Sequence, residues 1–82
     1  MKRIIDNDMP VNVTGSQIKK LRVKSGLSQR QLSEKLELEA VYTCRGSISR
    51  IENGQRAVTD IELMAIAKVL GVDINMLFDV KQ

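Results

Sequence analysis

Two short strings constrain this chain more than any other feature. Ser28-Gln29-Arg30-Gln31 and Thr59-Asp60-Ile61-Glu62 each set a hydroxyl three residues ahead of a Gln or Glu. In such a capping box the hydroxyl accepts from an unpaired backbone N–H of the first helical turn, and the longer side chain reaches back to the cap, so each string starts a helix. After the first, Leu32 and Leu36 lie one turn apart, Arg30, Glu34 and Lys35 lie toward water and Ser33 borders the core, which predicts helix 2 from Gln29 to about Leu38. After the second, Leu63, Ile66, Ala67 and Leu70 recur at helical spacing, and Gly71 is the stop of helix 4.

The remaining elements read less sharply. Helix 1 is expected at about 16–25, with Ile18 and Leu21 three apart and Gly26 past its end. Helix 3 is short, roughly Arg45 to Glu52, with Ile48 and Ile51 on one side and Asn53-Gly54 closing it. Asp73 caps a last short helix, Ile74 to Phe78, whose Leu77 and Phe78 belong on the core or at an interface. The first fifteen residues show no sustained period and read as an arm or short extended segment. With no credible strand ladder, the expected fold is all-α, a compact five-helix domain over 16–78 with an N-terminal arm (1–15) and a C-terminal tail (79–82).

Composition narrows the function classes. Eighty-two residues is one domain, and 43% hydrophobic content with one Tyr, one Phe and no Trp demands an aliphatic core. A chain this short buries only about 60 to 65% of its unfolded surface, so a partner or a second copy is expected to add stability. With no His and one Cys there is no intramolecular disulfide, no metal site, no cofactor chemistry and no imidazole to serve as general base, so no catalytic residue is assigned and an enzyme is not expected. The apolar stretches fall far short of the roughly 20 residues that span a bilayer, and MKRIIDNDMP carries charges where a signal peptide needs an apolar run; a cytoplasmic protein with no membrane contact is expected.

Charge is unevenly placed. Residues 17–56 hold nine Lys/Arg against four acids, a net +5, whereas residues 57–82 hold two against four, a net −2. Such asymmetry suits a polyanion, although a solvated helix surface explains it equally well.

The strings IKKLRVKSGLSQRQLSEKL, ISRIENGQR and IELMAIAKVLGVDINMLF stand in the order found in the Cro/cI-type (XRE) helix-turn-helix family. The chain resembles that family over about Gln17 to Phe78. The resemblance implies a lambda-repressor-like domain in which helices 2 and 3 form the helix-turn-helix and helix 3 enters the major groove of double-stranded DNA. A B-DNA major groove admits one α-helix, whose amino-terminal residues reach base edges while flanking groups hold phosphates.

On that reading Arg45, Gly46, Ser47, Ser49 and Arg50 face the bases, with Arg45, Ser47 and Arg50 reading them and an Arg pair recognising guanine. Alternatives stay open: Arg50 spans to Glu52 or water, Arg45 is a loop-end charge, Ser47 only caps. Gly46 either admits a close approach or marks the loop end. Gln29 and Asn53 match family positions that contact phosphates; Arg30, Arg56 and Lys20 are backbone clamps by charge alone, each equally able to be solvated. Arg22 and Glu52 match a family ion pair between helix 1 and the end of helix 3.

The connection from Leu36 to Ile48 is about four residues longer than the family's usual one, which leaves the cap of helix 3 open between Thr43 and Cys44. Tyr42 sets its hydroxyl near a phosphate or packs its ring under the loop; Cys44 reads as an inert small group. The function expected is a sequence-specific, repressor-type transcriptional regulator bound to a DNA operator as a homodimer, with Met64, Val69, Ile74, Met76 and Leu77 as apolar groups beyond the needs of one core. The rival is an antitoxin or anti-regulator acting through protein–protein contact. RNA is disfavoured for want of aromatic surface on which bases stack.

Overall fold

Both capping boxes close. Ser28 Oγ accepts from the Gln31 N–H at 3.0 Å and Gln31 Oε1 accepts from the Ser28 N–H at 2.8 Å. Thr59 Oγ1 accepts from the Glu62 N–H at 3.1 Å, and Glu62 Oε1 from the Thr59 N–H at 3.0 Å. They open α2 (Gln29–Leu38) and α4 (Asp60–Leu70) in a computed structural model that describes residues 10–78. Before them lies α1 (Gly15–Lys24) and between them α3 (Arg45–Glu52); among the described residues there are four α-helices and no strand.

The expected fifth helix is instead a single 3-10 turn, Ile74–Leu77. Asp73 Oδ1 accepts from the Asn75 N–H at 3.2 Å, and the bonds that follow span three residues, Met76 N–H to Asp73 O at 2.8 Å and Phe78 N–H to Asn75 O at 3.1 Å. Four residues are too few to amortise the cost of an α-helical nucleus, so the tighter turn prevails. It serves to bring Leu77, fully buried, into the core. Phe78 does not follow it there and stays 41% exposed.

The core is aliphatic, as the lack of aromatics requires: Ile18 and Leu21 of α1, Leu32 and Leu36 of α2, Ile48 and Ile51 of α3, and Leu63, Ile66 and Leu70 of α4 are buried together. α1 begins at Gly15 because Asn12, rather than a residue at the cap position, supplies the cap: its Oδ1 accepts from the Gly15 N–H at 2.7 Å. The same side chain donates through Nδ2 to the carbonyls of Ile51 at 3.0 Å and Arg56 at 2.8 Å, fastening the segment before α1 to the end of α3. Residues 1–9 of the expected arm and the expected tail 79–82 lie outside the described residues.

The lengthened connection is ordered at its start by a Schellman motif, Val41 N–H to Leu36 O at 3.0 Å and Ala40 N–H to Glu37 O at 2.9 Å. Its left-handed residue is Ala40, φ 60°, where glycine is usual. At the far end of α3, Arg22 donates from Nε to Glu52 Oε2 at 2.6 Å and from Nη2 to Glu52 Oε1 at 3.0 Å, and its Nη1 reaches the Leu27 carbonyl at 2.7 Å. Both side chains are buried, so the expected pair between helix 1 and helix 3 is present.

Two stability outcomes follow from this packing. Ala40→Gly removes a left-handed strain and is expected to raise the urea midpoint, by about 1 kcal/mol in unfolding free energy. Glu52→Ala strands a buried guanidinium and is expected to cost about 3–5 kcal/mol, whereas replacing Arg22 and Glu52 together with apolar residues of similar volume costs less than the single change; a double-mutant cycle in urea measures both.

Candidate nucleic-acid interface

α3 is an eight-residue helix rolled so that Ile48, Ile51 and Glu52 face inward. At about 100° per residue the direction opposite Ile48 and Ile51 falls on Gly46, with Arg50 beside it and Arg45 and Ser49 to the other side. Arg45, Gly46 and Arg50 are exposed, while Ser47 and Ser49 are half-buried. Arg50 does not span to Glu52. Its Nη2 donates to Ser47 Oγ at 3.2 Å, which lays the guanidinium back along the outer face toward the start of α3.

The cap question resolves to Cys44, whose extended backbone (φ −73°, ψ 165°) precedes Arg45 without a side-chain cap bond. Its exposed thiol donates to Ser47 Oγ at 3.4 Å, and the Ser47 hydroxyl pulls its pKa below the usual thiol range. Ser47 thus organises both neighbours rather than capping. Thr43 turns inward and donates to Glu62 Oε2 at 2.7 Å. Tyr42 is 77% exposed, so its ring is not packed under the loop.

The expected phosphate residues divide. Gln29 and Asn53 come to one junction: Gln29 Nε2 donates to Glu52 Oε1 at 3.0 Å, and exposed Asn53 follows Glu52 directly. The side-chain amide of Gln29 is therefore turned to the buried pair, and what α2 offers an anion there is first-turn backbone N–H groups. Arg30 is exposed beside it, in a solvated pair with Glu34 at 3.3 Å that contributes little. Arg56 is engaged otherwise: Nη1 and Nη2 grip Glu62 at 3.1 and 3.0 Å, and Nη1 also reaches the Ala57 carbonyl at 2.9 Å. Lys20, exposed on α1, sits about 200° around that helix from Arg22, which faces α3, so the structure does not bring it to this surface.

A helix-turn-helix family model matches residues 18–77, all four α-helices beyond the first three residues of α1 and the 3-10 turn included. The chain belongs to the XRE-type helix-turn-helix family. That family makes it a DNA-binding transcriptional regulator, and the family is typically non-enzymatic. This helix-turn-helix chain is 36% identical over 73 residues to the control protein C.MunI of a Mycoplasma species, covering 88% of this chain and 90% of that protein. It is 33% identical over 63 residues to a propionyl-CoA carboxylase regulator of Cereibacter sphaeroides, covering 77% of this chain but only 13% of that longer protein. No described helix is long and apolar enough to cross a membrane.

Sequence reasoning missed the support beneath the helix-turn-helix. Glu62 is read from sequence as half of a capping box, yet its carboxylate also gathers Thr43 and Arg56, joining the residue before the α3 cap to the start of α4. Burial of Glu62 works to raise its pKa, but the bonds from Arg56, the Thr59 N–H and Thr43 outweigh it and hold the carboxyl at about 2. Only the contact of a β-branched, buried Thr43 with α4 reveals this role, and periodicity carries no such information. Because the folded pKa lies below the unfolded one, the stabilisation is complete above about pH 4.5 and is lost as pH falls toward 2. Acid unfolding followed by circular dichroism is expected to show a loss of at most about 3 kcal/mol in that window, absent in Glu62→Gln.

Proposed function

We propose that the chain is a sequence-specific, repressor-type regulator that sets α3 into the major groove of an operator as a homodimer, each copy reading one half-site. The observation that carries this reading is the division of roles on α3. Its inner face is fully engaged by Ile48, Ile51 and the Arg22–Glu52–Gln29 bonds, while its outer face carries Arg45 and Arg50, neither facing a carboxylate among the described residues. Arg50, held by Ser47, and Arg45 are the donors to base edges, with guanine O6 and N7 as the matching acceptors. Ser49 flanks them. The α2 start at Gln29 and Arg30, and Asn53 beyond α3, hold phosphates on either side, with Tyr42 reaching one from the lengthened connection.

Exposed apolar side chains support a second copy: Met64 at 66%, Ile61, Met76 and Phe78. Val69 and Ile74 are half-buried against the core, and Leu77, for which the sequence allows both core and interface, is fully buried in the core and leaves the interface to the others. A relative bearing the name control protein, matched over nine-tenths of its length, supports a regulatory role.

Selection from random duplexes tests the reading and yields the operator. Affinity for the selected duplex is expected to fall by orders of magnitude, about 10³ to 10⁵ for six to ten phosphates, between about 50 and 200 mM salt. A partner-protein interface would change far less, and that result sinks the DNA reading. Arg50→Ala is expected to lose about 1–3 kcal/mol of discrimination at one base pair per half-site without loss of folding, whereas Asn53→Ala weakens binding alike on selected and shuffled duplexes; anisotropy titrations on both separate the two.

A further inference from the structure

Four of the five glycines are required by the fold. Gly26, Gly54 and Gly71 have φ of 77°, 73° and 67°, a region that side chains disfavour, and any Cβ on Gly15 would collide with the Ile51 carbonyl. Gly46 has neither reason. It sits in the first turn of α3 with helical backbone, and a Cβ built on it would meet only Arg50 Nη1 at 3.7 Å, an ordinary contact. An alanine there is sterically free and a better helix former. The fold therefore does not explain this glycine.

Its position does. Gly46 stands at the centre of the outward face of α3, directly opposite Ile48 and Ile51, between the exposed side chains of Arg45 and Arg50. Resting on the DNA reading of α3, we infer that Gly46 is the seating point of the helix. Its bare Cα lies against a base edge on the groove floor, closer than any Cβ permits, and this depth is what brings Arg45 and Arg50 to their acceptors. The two arginines supply attraction and hydrogen bonds; the missing methyl sets how far in the helix goes. Gly46 is then a specificity residue that makes no hydrogen bond of its own, since a helix held off the floor keeps its phosphate contacts and loses its base contacts.

The test compares the full chain with Gly46→Ala and Gly46→Met, measuring melting temperature and affinity for the duplex selected by the parent and for a shuffled one. The expected melting temperature is unchanged or raised by up to about 5 °C, because glycine is the poorer helix former. Affinity of Gly46→Ala for the selected duplex should fall by about tenfold or more, as overpacking of a fitted contact does, with a larger loss for Gly46→Met and shuffled-duplex affinity within about twofold of the parent. Parent-like binding of both variants to the selected duplex overturns the inference, and so does equal loss on both duplexes or a lowered melting temperature in Gly46→Ala. A parent chain that selects no duplex overturns the DNA reading itself and this role with it; a parent that selects one, beside variants that bind it unchanged, overturns only the role of Gly46.

Discussion

A buried guanidinium–carboxylate pair inside an aliphatic core fixes where α3 lies. Arg22 and Glu52 are joined through two bonds, Arg22 also holds the carbonyl of Leu27 just past α1, and Glu52 receives the amide of Gln29 at the start of α2. Such a pair adds little net stability over apolar residues of the same volume, because desolvation offsets the attraction. Its effect is on geometry. Ile48 and Ile51 alone would allow a rotation of α3 that keeps it packed on α1 and α2, but a carboxylate at position 52 has one place where its oxygens are satisfied. Once that place is taken, Gly46 and Arg50 have no direction to face but outward, while Arg45, two turns before Glu52 on nearly the same side, is exposed as the first residue of α3.

The other end of α3 is held by a second polar node that shares no residue with the first. Thr43, immediately before the Cys44 cap, is tied to Glu62, and Glu62 to Arg56 and the Thr59 cap. Asn12 links the two regions by bonding the carbonyls of Ile51 and Arg56. A helix of eight residues is too short to be stable alone, and its first turn here lacks a side-chain cap. Bracketing it between two satisfied nodes gives its exposed side chains a rigid base, which the proposed discrimination between base pairs requires. The six-residue connection from α2 is compatible with this because Thr43 anchors its end and the Ala40 turn its beginning.

What was legible in the chain follows from the range of the interactions concerned. The caps Ser28 and Thr59, the helix bounds of α2, α3 and α4, and the buried faces are local patterns, repeated every turn, and each can be read from a few consecutive residues. The Arg22–Glu52 pair spans thirty residues and was reached only through the family resemblance. Asn12 with Ile51, and Thr43 with Glu62, join residues far apart through hydrogen bonds that leave no period behind, so nothing in the sequence marked them. The last short helix was legible as an element but not as a type: Asp73 is a sound cap, but a cap does not tell whether four residues close as an α or a 3-10 turn. Arg56 shows the weakness of charge as a guide to sites, since a cation is as readily spent on a carboxylate of its own chain.

That last point changes the electrostatic argument itself. Of the nine cations in residues 17–56, Arg22, Arg30 and Arg56 each face a carboxylate, and the net charge of the segment does not distinguish them from the rest. Lys19, Lys20 and Lys24 belong to α1 and Lys35 to the last turn of α2, and on α3 only Arg45 and Arg50 remain. On the proposed reading both guanidinium groups of α3 go to base edges, so phosphates fall to the α2 start, Arg30, Asn53 and Tyr42, and the steep salt response expected of the operator complex needs the contacts of two copies together. Discrimination at the level of a genome then has to come from geometry rather than from accumulated charge. In the proposed homodimer, two identical sets of contacts one helical turn apart multiply their selectivity, which gives the exposed Met64, Ile61, Met76 and Phe78 a task that the core does not.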